Sequence, residues 1–305
     1  MPLVFVLNGY FRSGSTLLYK IIKLSNKEKA VFYEPLHNDL FFYLGNHKIG
    51  LVDRVHSTCL WDEYLLHGEN FIDKLREEHP CINQIFPLNS KQVIDYIDIF
   101  HGLRAQVVLQ PNRMHFVLEK VANYYSIPCV HIIRNPLDTY LDIINTYRKK
   151  RSKAIVFIAD ILRKFNLLPL KKAFAMDKGL EFIFKYFGKP SKWEDIIFKM
   201  RHWNDTFGIF LVNWTICNYI AIKQLEKCKG NLVIYEQLVN DPLGSFSYLE
   251  KISGLKFKKN FANMISKKFV GQYNQFLIKK MEKKIKEFQI EPEWNYVIES
   301  SGYRF

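Results

Sequence analysis

Cysteine is scarce and scattered in this chain. Five residues (Cys59, Cys81, Cys129, Cys217 and Cys228) are spread over 305 positions, with no CxxC pair and no Cys/His ligand spacing. That pattern excludes a disulfide framework and a structural zinc site. Long hydrophobic runs are also missing. The most apolar stretch, residues 207–222, is interrupted by Asn213 and Asn218. It is shorter than the roughly 20 residues of a membrane-spanning helix, so a buried helix is expected. The opening MPLVFVLNGYFRSG has neither a basic segment nor a long apolar core, which predicts a cytoplasmic, reduced protein. No internal repeat or Gly/Ser/Pro-rich linker divides the sequence, so residues 1–305 are expected to form a single domain. Acidic residues are in the minority, 30 against 44 Lys and Arg, for a net charge of +14. Such a balance suits polyanionic partners: nucleic acid, acidic glycans, anionic membrane or a multiply phosphorylated cofactor.

Against those absences stand five short apolar runs, each leading to a polar residue. They are LVFVL before Asn8, AVFY before Glu34, HFVLE before Lys120, CVHII before Arg134 and LVIY before Glu236. Apolar runs without alternation read as strands buried on both faces, hence as a parallel sheet. Helical patterns lie between them (Leu17, Leu18, Ile21, Ile22; Val93, Ile94, Ile97). Asn135-Pro136 and Asp241-Pro242 each place a capping residue before a first-turn proline. The alternation predicts an α/β class with three layers around a central parallel sheet. Residues 147–203, rich in lysine and aromatics, read as a helical insertion on the acceptor side. Ligands of such sheets lie beyond the carboxyl ends of the strands, where Asn8, Glu34, Lys120 and Arg134 are expected to converge.

The stretch from Gly9 to Thr16 reads G-x-x-x-x-G-S-T between a predicted strand and a predicted helix. Glycines at those positions let successive backbone N–H groups turn toward an anion, and the helix N-terminus adds partial positive charge. Ser15 occupies the position of the lysine in nucleotide triphosphatases, which disfavours ATP hydrolysis and kinase chemistry. The cation of this loop is Arg12. The plain alternative is a glycine-containing strand-to-helix turn with no ligand.

FRSGSTLL resembles the 5′-phosphosulfate loop of sulfotransferases that use 3′-phosphoadenosine 5′-phosphosulfate (PAPS). Four further segments agree in order: FYEPLH, VLEK, HIIRNPLDTYLDI and VIYEQLVNDPLGSFSYLEKISGL. Together they span residues 3 to about 255. The resemblance implies a P-loop-like fold and PAPS as co-substrate, with no metal required. It puts Arg12, Ser13, Gly14, Ser15, Thr16 and Leu17 around the 5′ group, Arg134 at the 3′-phosphate, and Tyr235 on the cofactor. It also implies Glu34 as the base that deprotonates a hydroxyl, less readily an amine, of a carbohydrate, lipid or small-molecule acceptor. Arg12 and Lys120 would stabilise charge on the transferring group.

Two positions depart from that pattern. The family's 3′-phosphate serine falls on Asp142, so either Asp142 points elsewhere or another group, Thr139 or the stretch 266–273, replaces the serine. The histidine that small-molecule members carry after the lysine falls on Ala122, with His37 as the reserve base. Two other readings remain at this level. A P-loop nucleoside or nucleotide kinase would need the missing lysine, and a basic nucleic-acid-binding module would need a reading motif, of which none is found.

Overall fold

Leu3, Phe5, Val6 and Leu7 are consecutive or nearly so, and all are buried, which only a strand covered on both faces satisfies. In the computed structural model they form β1 (Leu3–Gly9). The structure describes residues 3–45, 52–53, 58–80, 86–149, 206–228, 230–265 and 275–305. Four more strands flank β1: β2 (Ala30–Tyr33), β5 (Val107–Gln110), β6 (Cys129–Ile133) and β7 (Gly230–Ile234). They make a parallel sheet of order β2-β5-β1-β6-β7. A separate antiparallel ribbon pairs β3 (Val52–Asp53) with β4 (Thr58–Cys59). The expected α/β class with a central parallel sheet is the one observed.

Helix α1 (Ser15–Ser25) follows β1 and buries Leu18, Tyr19, Ile21 and Ile22. Helices α2 (Leu40–Gly45), α3 (Asp62–Leu65), α4 (Glu69–Glu77) and α5 (Ser90–His101) lie between β2 and β5. The chain therefore passes from β1 to β2 on one side, while β6 and β7 lie on the other. The sheet's switch point falls at β1, between the loop after β1 and the end of β6.

The order of strands corrects one expectation. HFVLE is not a strand. Val117 precedes helix α6 (Leu118–Tyr125), whose Leu118, Val121 and Ala122 are buried at helical spacing. The strand beside β1 is instead Val107–Gln110, four residues paired on both sides and preceded by no periodic pattern. The strand at LVIY stops one residue early, because β7 ends at Ile234 and Tyr235 opens helix α9 (Tyr235–Asn240). Asn8 is also not a ligand-facing strand end. Its Oδ1 accepts from Met114 N at 3.1 Å and its Nδ2 lies 3.0 Å from His131 Nδ1, so it ties β1 to β6 and to the segment that follows β5.

The capping expectations hold. Asn135 Oδ1 accepts from Leu137 N (2.9 Å) at the start of α7 (Pro136–Lys149), and Asp241 Oδ1 from Gly244 N (2.9 Å) before α10 (Pro242–Ser253). Residues 207–222 lie within α8 (Thr206–Leu225). There Asn213 and Asn218 turn their amides back to the carbonyls of Ile209 and Trp214, which makes them tolerable in a buried helix. Among the described residues no helix is long and apolar enough to cross a membrane.

The chain divides into two compact units, Met1–Arg134 with Ile220–Lys268, and Asn135–Tyr219 with Phe269–Phe305. The first holds the whole parallel sheet and the site described below. The described residues of the second are largely helical, with Trp214 and Trp294 rings 5.7 Å apart. Most of the expected insertion, and the stretch 266–273, lie outside the described residues.

Candidate active site

The loop after β1 is shaped by its two glycines. A Cβ on Gly9 would meet Ser13 Oγ at 2.6 Å and Ile132 Cγ2 at 2.7 Å, so only glycine lets the chain turn that tightly. Ser13 N donates to Tyr10 O (3.1 Å) to close the turn. Gly14 sits at φ 95° and ends the loop, and α1 starts at Ser15 with no side-chain cap and no acidic residue in its first turn. Uncapped first-turn amides attract an anion. Ser13 Oγ is fully buried and has no hydrogen-bond partner among the described residues. A hydroxyl in that state costs free energy until an acceptor reaches it. These features fit a phosphate oxygen in the loop.

Arg134 follows β6 and reaches the same loop. Its guanidinium donates to Arg12 O at 3.2 Å and lies 4.8 Å from the centre of the Tyr235 ring. Tyr235 in turn covers Gly14: a Cβ on Gly14 would come within 2.5 Å of its Cε2. Loop, aromatic ring and arginine thus form one stack. The chain brings Arg12 and Arg134 together from positions 122 residues apart, one on each side of the switch point.

On the other side of the loop, Glu34 ends β2 and is 8% exposed. Asn112 Nδ2 donates to its Oε1 at 2.8 Å, and His37 Nε2 lies 3.6 Å from its Oε2. His37 Nδ1 accepts from Asp39 N at 3.0 Å, so in the neutral ring the proton sits on Nε2 and faces the carboxylate. Burial, then the positive charge of Arg113, hold the imidazole well below its usual 6.5. His37 therefore stands neutral beside Glu34, with Nδ1 engaged by Asp39 N and Nε2 facing the carboxylate beyond hydrogen-bond distance.

Arg113 joins the two halves of the site. Its guanidinium is 5.3 Å from the centre of the Phe11 ring in the loop, and it donates to Asn38 Oδ1 at 2.7 Å beside the Glu34 turn. It is 6% exposed. On the loop's other flank, Thr16 Oγ1 and Tyr33 OH are 3.1 Å apart, which ties α1 to the end of β2.

Five non-glycine residues among those described have positive φ, and three of them are Arg12 (65°), Glu34 (40°) and Asn112 (54°). Each stands at the carboxyl edge of one of three neighbouring strands, β1, β2 and β5. A left-handed backbone costs such residues about 1–2 kcal/mol each, and strain of this kind collects where side chains must be aimed.

The expected site residues are thus largely assembled. Arg12, Ser13, Gly14, Ser15, Thr16 and Leu17 share the loop and the first turn of α1, with Arg134 and Tyr235 on one flank and Glu34 on the other. Lys120 is not with them at a strand end. It is the third residue of α6 and solvent-exposed, because the strand expected before it does not exist. Ala122 is buried on the same helix. Thr139 is fully buried and Asp142 partly so, both on α7. Gln110, Asn112 and Arg113 were not singled out from the sequence. Their signal is VVLQ followed by Pro-Asn-Arg, an apolar run stopped by proline and then a residue type that tolerates positive φ.

Fold and site together define an α/β protein with a glycine loop and an uncapped helix start at its switch point and a braced carboxylate beside it. The chain belongs to the family of an Archaeoglobus fulgidus protein described as uncharacterized, to which it is 30% identical over 282 residues, 86% of this chain and 87% of the relative. No protein-family model matches the chain. Among solved structures it is similar to the sulfotransferase domain of the Synechococcus PCC 7002 olefin synthase (TM-score 0.43, 13% identity, covering 100% of this chain and 96% of that one). It is similar also to the sulfotransferase domain from the curacin biosynthetic pathway (0.45, 13%, 100% and 99%). A sulfotransferase from Alicyclobacillus acidocaldarius gives 0.43 and 10%, over 100% and 98%. These are distant likenesses, and the chemistry below rests on the chain's own residues.

Proposed function

We propose that the protein transfers a sulfuryl group from PAPS to a hydroxyl, less readily an amine, of a carbohydrate, lipid or small-molecule acceptor. One juxtaposition carries the reading: a phosphate-type loop without the triphosphatase lysine, flanked by two buried arginines and a carboxylate held in a single orientation. Glu34 takes the acceptor proton as the new S–O bond forms and the bond from sulfur to the leaving phosphate breaks. Asn112 and His37 hold the carboxylate still, which matters because misplacement by about 1 Å costs a large factor in rate. Arg113, between Phe11 and Asn38, is the cation best placed to meet the sulfuryl oxygens, the role first assigned to Lys120. Arg12, Ser13 Oγ and the amides of Ser15 and Thr16 receive charge on the leaving phosphate. Arg134, steadied on Tyr235, takes the second phosphate of the nucleotide.

Calorimetry with adenosine 3′,5′-bisphosphate, ATP and AMP tests the donor, and labelled PAPS with an acceptor panel tests the reaction. The bisphosphate is expected to bind much more tightly than ATP or AMP. Preference for ATP with a Mg²⁺ requirement would overturn the reading in favour of a kinase.

A further inference from the structure

The opposite edge of the sheet carries a second pair of reactive side chains. Cys129 opens β6 and Cys228 lies in the turn after α8, with their sulfurs 3.7 Å apart. Cys129 is fully buried and Cys228 is partly exposed. Strand pairing holds them there, since β6 and β7 register Cys129 opposite Gly230, two residues beyond Cys228. Gly230 is needed for this approach, because a Cβ there would come within 3.1 Å of Cys129 Sγ and also strike Leu225. Cys228 Sγ lies 3.3 Å from Gln224 O, so the turn itself aims the thiol inward.

We propose that Cys129 and Cys228 form a reversible oxidation site that closes to a disulfide by exchange with a small-molecule disulfide such as oxidised glutathione. The exposed thiolate of Cys228 attacks one sulfur of glutathione disulfide and releases one glutathione. Cys129 then attacks Cys228 Sγ, breaks the mixed disulfide and releases the second. Two protein thiols lose two protons and two electrons, and one disulfide becomes two thiols. Exposure sets the order, and the contact with Cys129 Sγ favours the thiolate of Cys228. Closure requires the sulfurs to move from 3.7 Å to about 2.05 Å, a shift within reach of a short turn. The carboxyl ends of the same strands carry Arg134 and Tyr235, five residues on and so roughly 16 Å away at about 3.3 Å per residue. Oxidation is therefore expected to leave binding of adenosine 3′,5′-bisphosphate unchanged, and its test is independent of the sulfuryl-transfer reading.

The full chain is incubated with oxidised glutathione, alkylated, digested without reductant and analysed by mass spectrometry. A peptide pair linking Cys129 to Cys228 is expected, lost on treatment with dithiothreitol. The link is expected to be absent from Cys228→Ser. Oxidation should raise the thermal midpoint of the wild type by several degrees and leave that of Cys228→Ser in place. Cys228→Ser changes only a partly exposed turn residue, so the test does not depend on a core variant folding. Free thiols at both positions after oxidation, a stable glutathione adduct on Cys228, or a bridge to another cysteine would each overturn the proposal.

Discussion

Replacing Glu34 by glutamine removes a base while keeping its shape, and the structure says how the new amide must sit. Asn112 Nδ2 donates to one carboxylate oxygen and His37 Nε2–H faces the other from 3.6 Å, whereas glutamine offers one oxygen and one NH₂. The oxygen will face Asn112, where the bond is 2.8 Å, and the NH₂ will face His37 at the longer 3.6 Å. His37 cannot relieve the mismatch by changing tautomer, because Nδ1 already accepts from Asp39 N. The unfavourable contact therefore falls on the weaker partner, and the stability cost should lie near the low end of 1–3 kcal/mol, about 1 kcal/mol. Turnover should fall by roughly 10²–10⁴-fold, the usual contribution of a general base. Denaturant unfolding measures the first quantity and initial rates with PAPS the second. The acidic limb of kcat/KM should vanish in the variant, and bisphosphate affinity should hardly change. His37→Gln, which keeps a donor, should cost far less. Near-wild-type turnover in Glu34→Gln, or its abolition in His37→Gln, would refute the assignment of base and orienter.

Arg113→Ala should lower kcat by roughly 10- to 150-fold, the equivalent of about 1.5–3 kcal/mol for a bond to a charged group, while Lys120→Ala stays close to wild type in the same assay. Arg134→Ala should weaken bisphosphate binding by a similar energy in calorimetry. Gly14→Ala should weaken it too, because it strains a φ of 95° and pushes Tyr235 away from the loop. Acid should destabilise the fold through its buried histidines. Burial holds His79 down to about 4 and pushes His37 and His115 well below 6.5, so the unfolded chain binds more protons below pH 6.5. The His79 contribution is complete above about 6.5 and is lost as pH falls toward 4, an effect of about 3 kcal/mol. His79→Gln preserves a donor to Pro35 O and should flatten that part of the stability–pH curve measured by denaturant titration.

The residues of the site were legible to the degree that local chemistry marks them. AVFY and CVHII end where the apolar run ends, so Glu34 and Arg134 were placed at strand ends correctly. HFVLE has the same look, yet Val117, Leu118, Val121 and Ala122 serve a helix face, and the error carried Lys120 with it. A run of five apolar and polar letters does not distinguish the two periods. The true neighbour of β1, Val107–Gln110, is only four residues long and is identified by pairing with β1 and β2, which local sequence does not record. His37 looked like a spare base until Asp39 N was seen to occupy Nδ1.

What the sequence determined alone is what short-range physics dictates: buried strands from unbroken apolar runs, a turn that needs glycine before a helix, and helix starts capped by Asn135 and Asp241. The G-x-x-x-x-G-S-T loop, with serine where triphosphatases carry lysine, belongs to the same class, being a property of eight adjacent residues. The tertiary structure alone decided which groups meet. Asn112 reaches Glu34 across 78 residues, Arg134 reaches Arg12 across 122, and Cys129 meets Cys228 across 99. Those meetings depend on strand order and register, which arise from the packing of the whole sheet, so no segment of the chain contains them by itself.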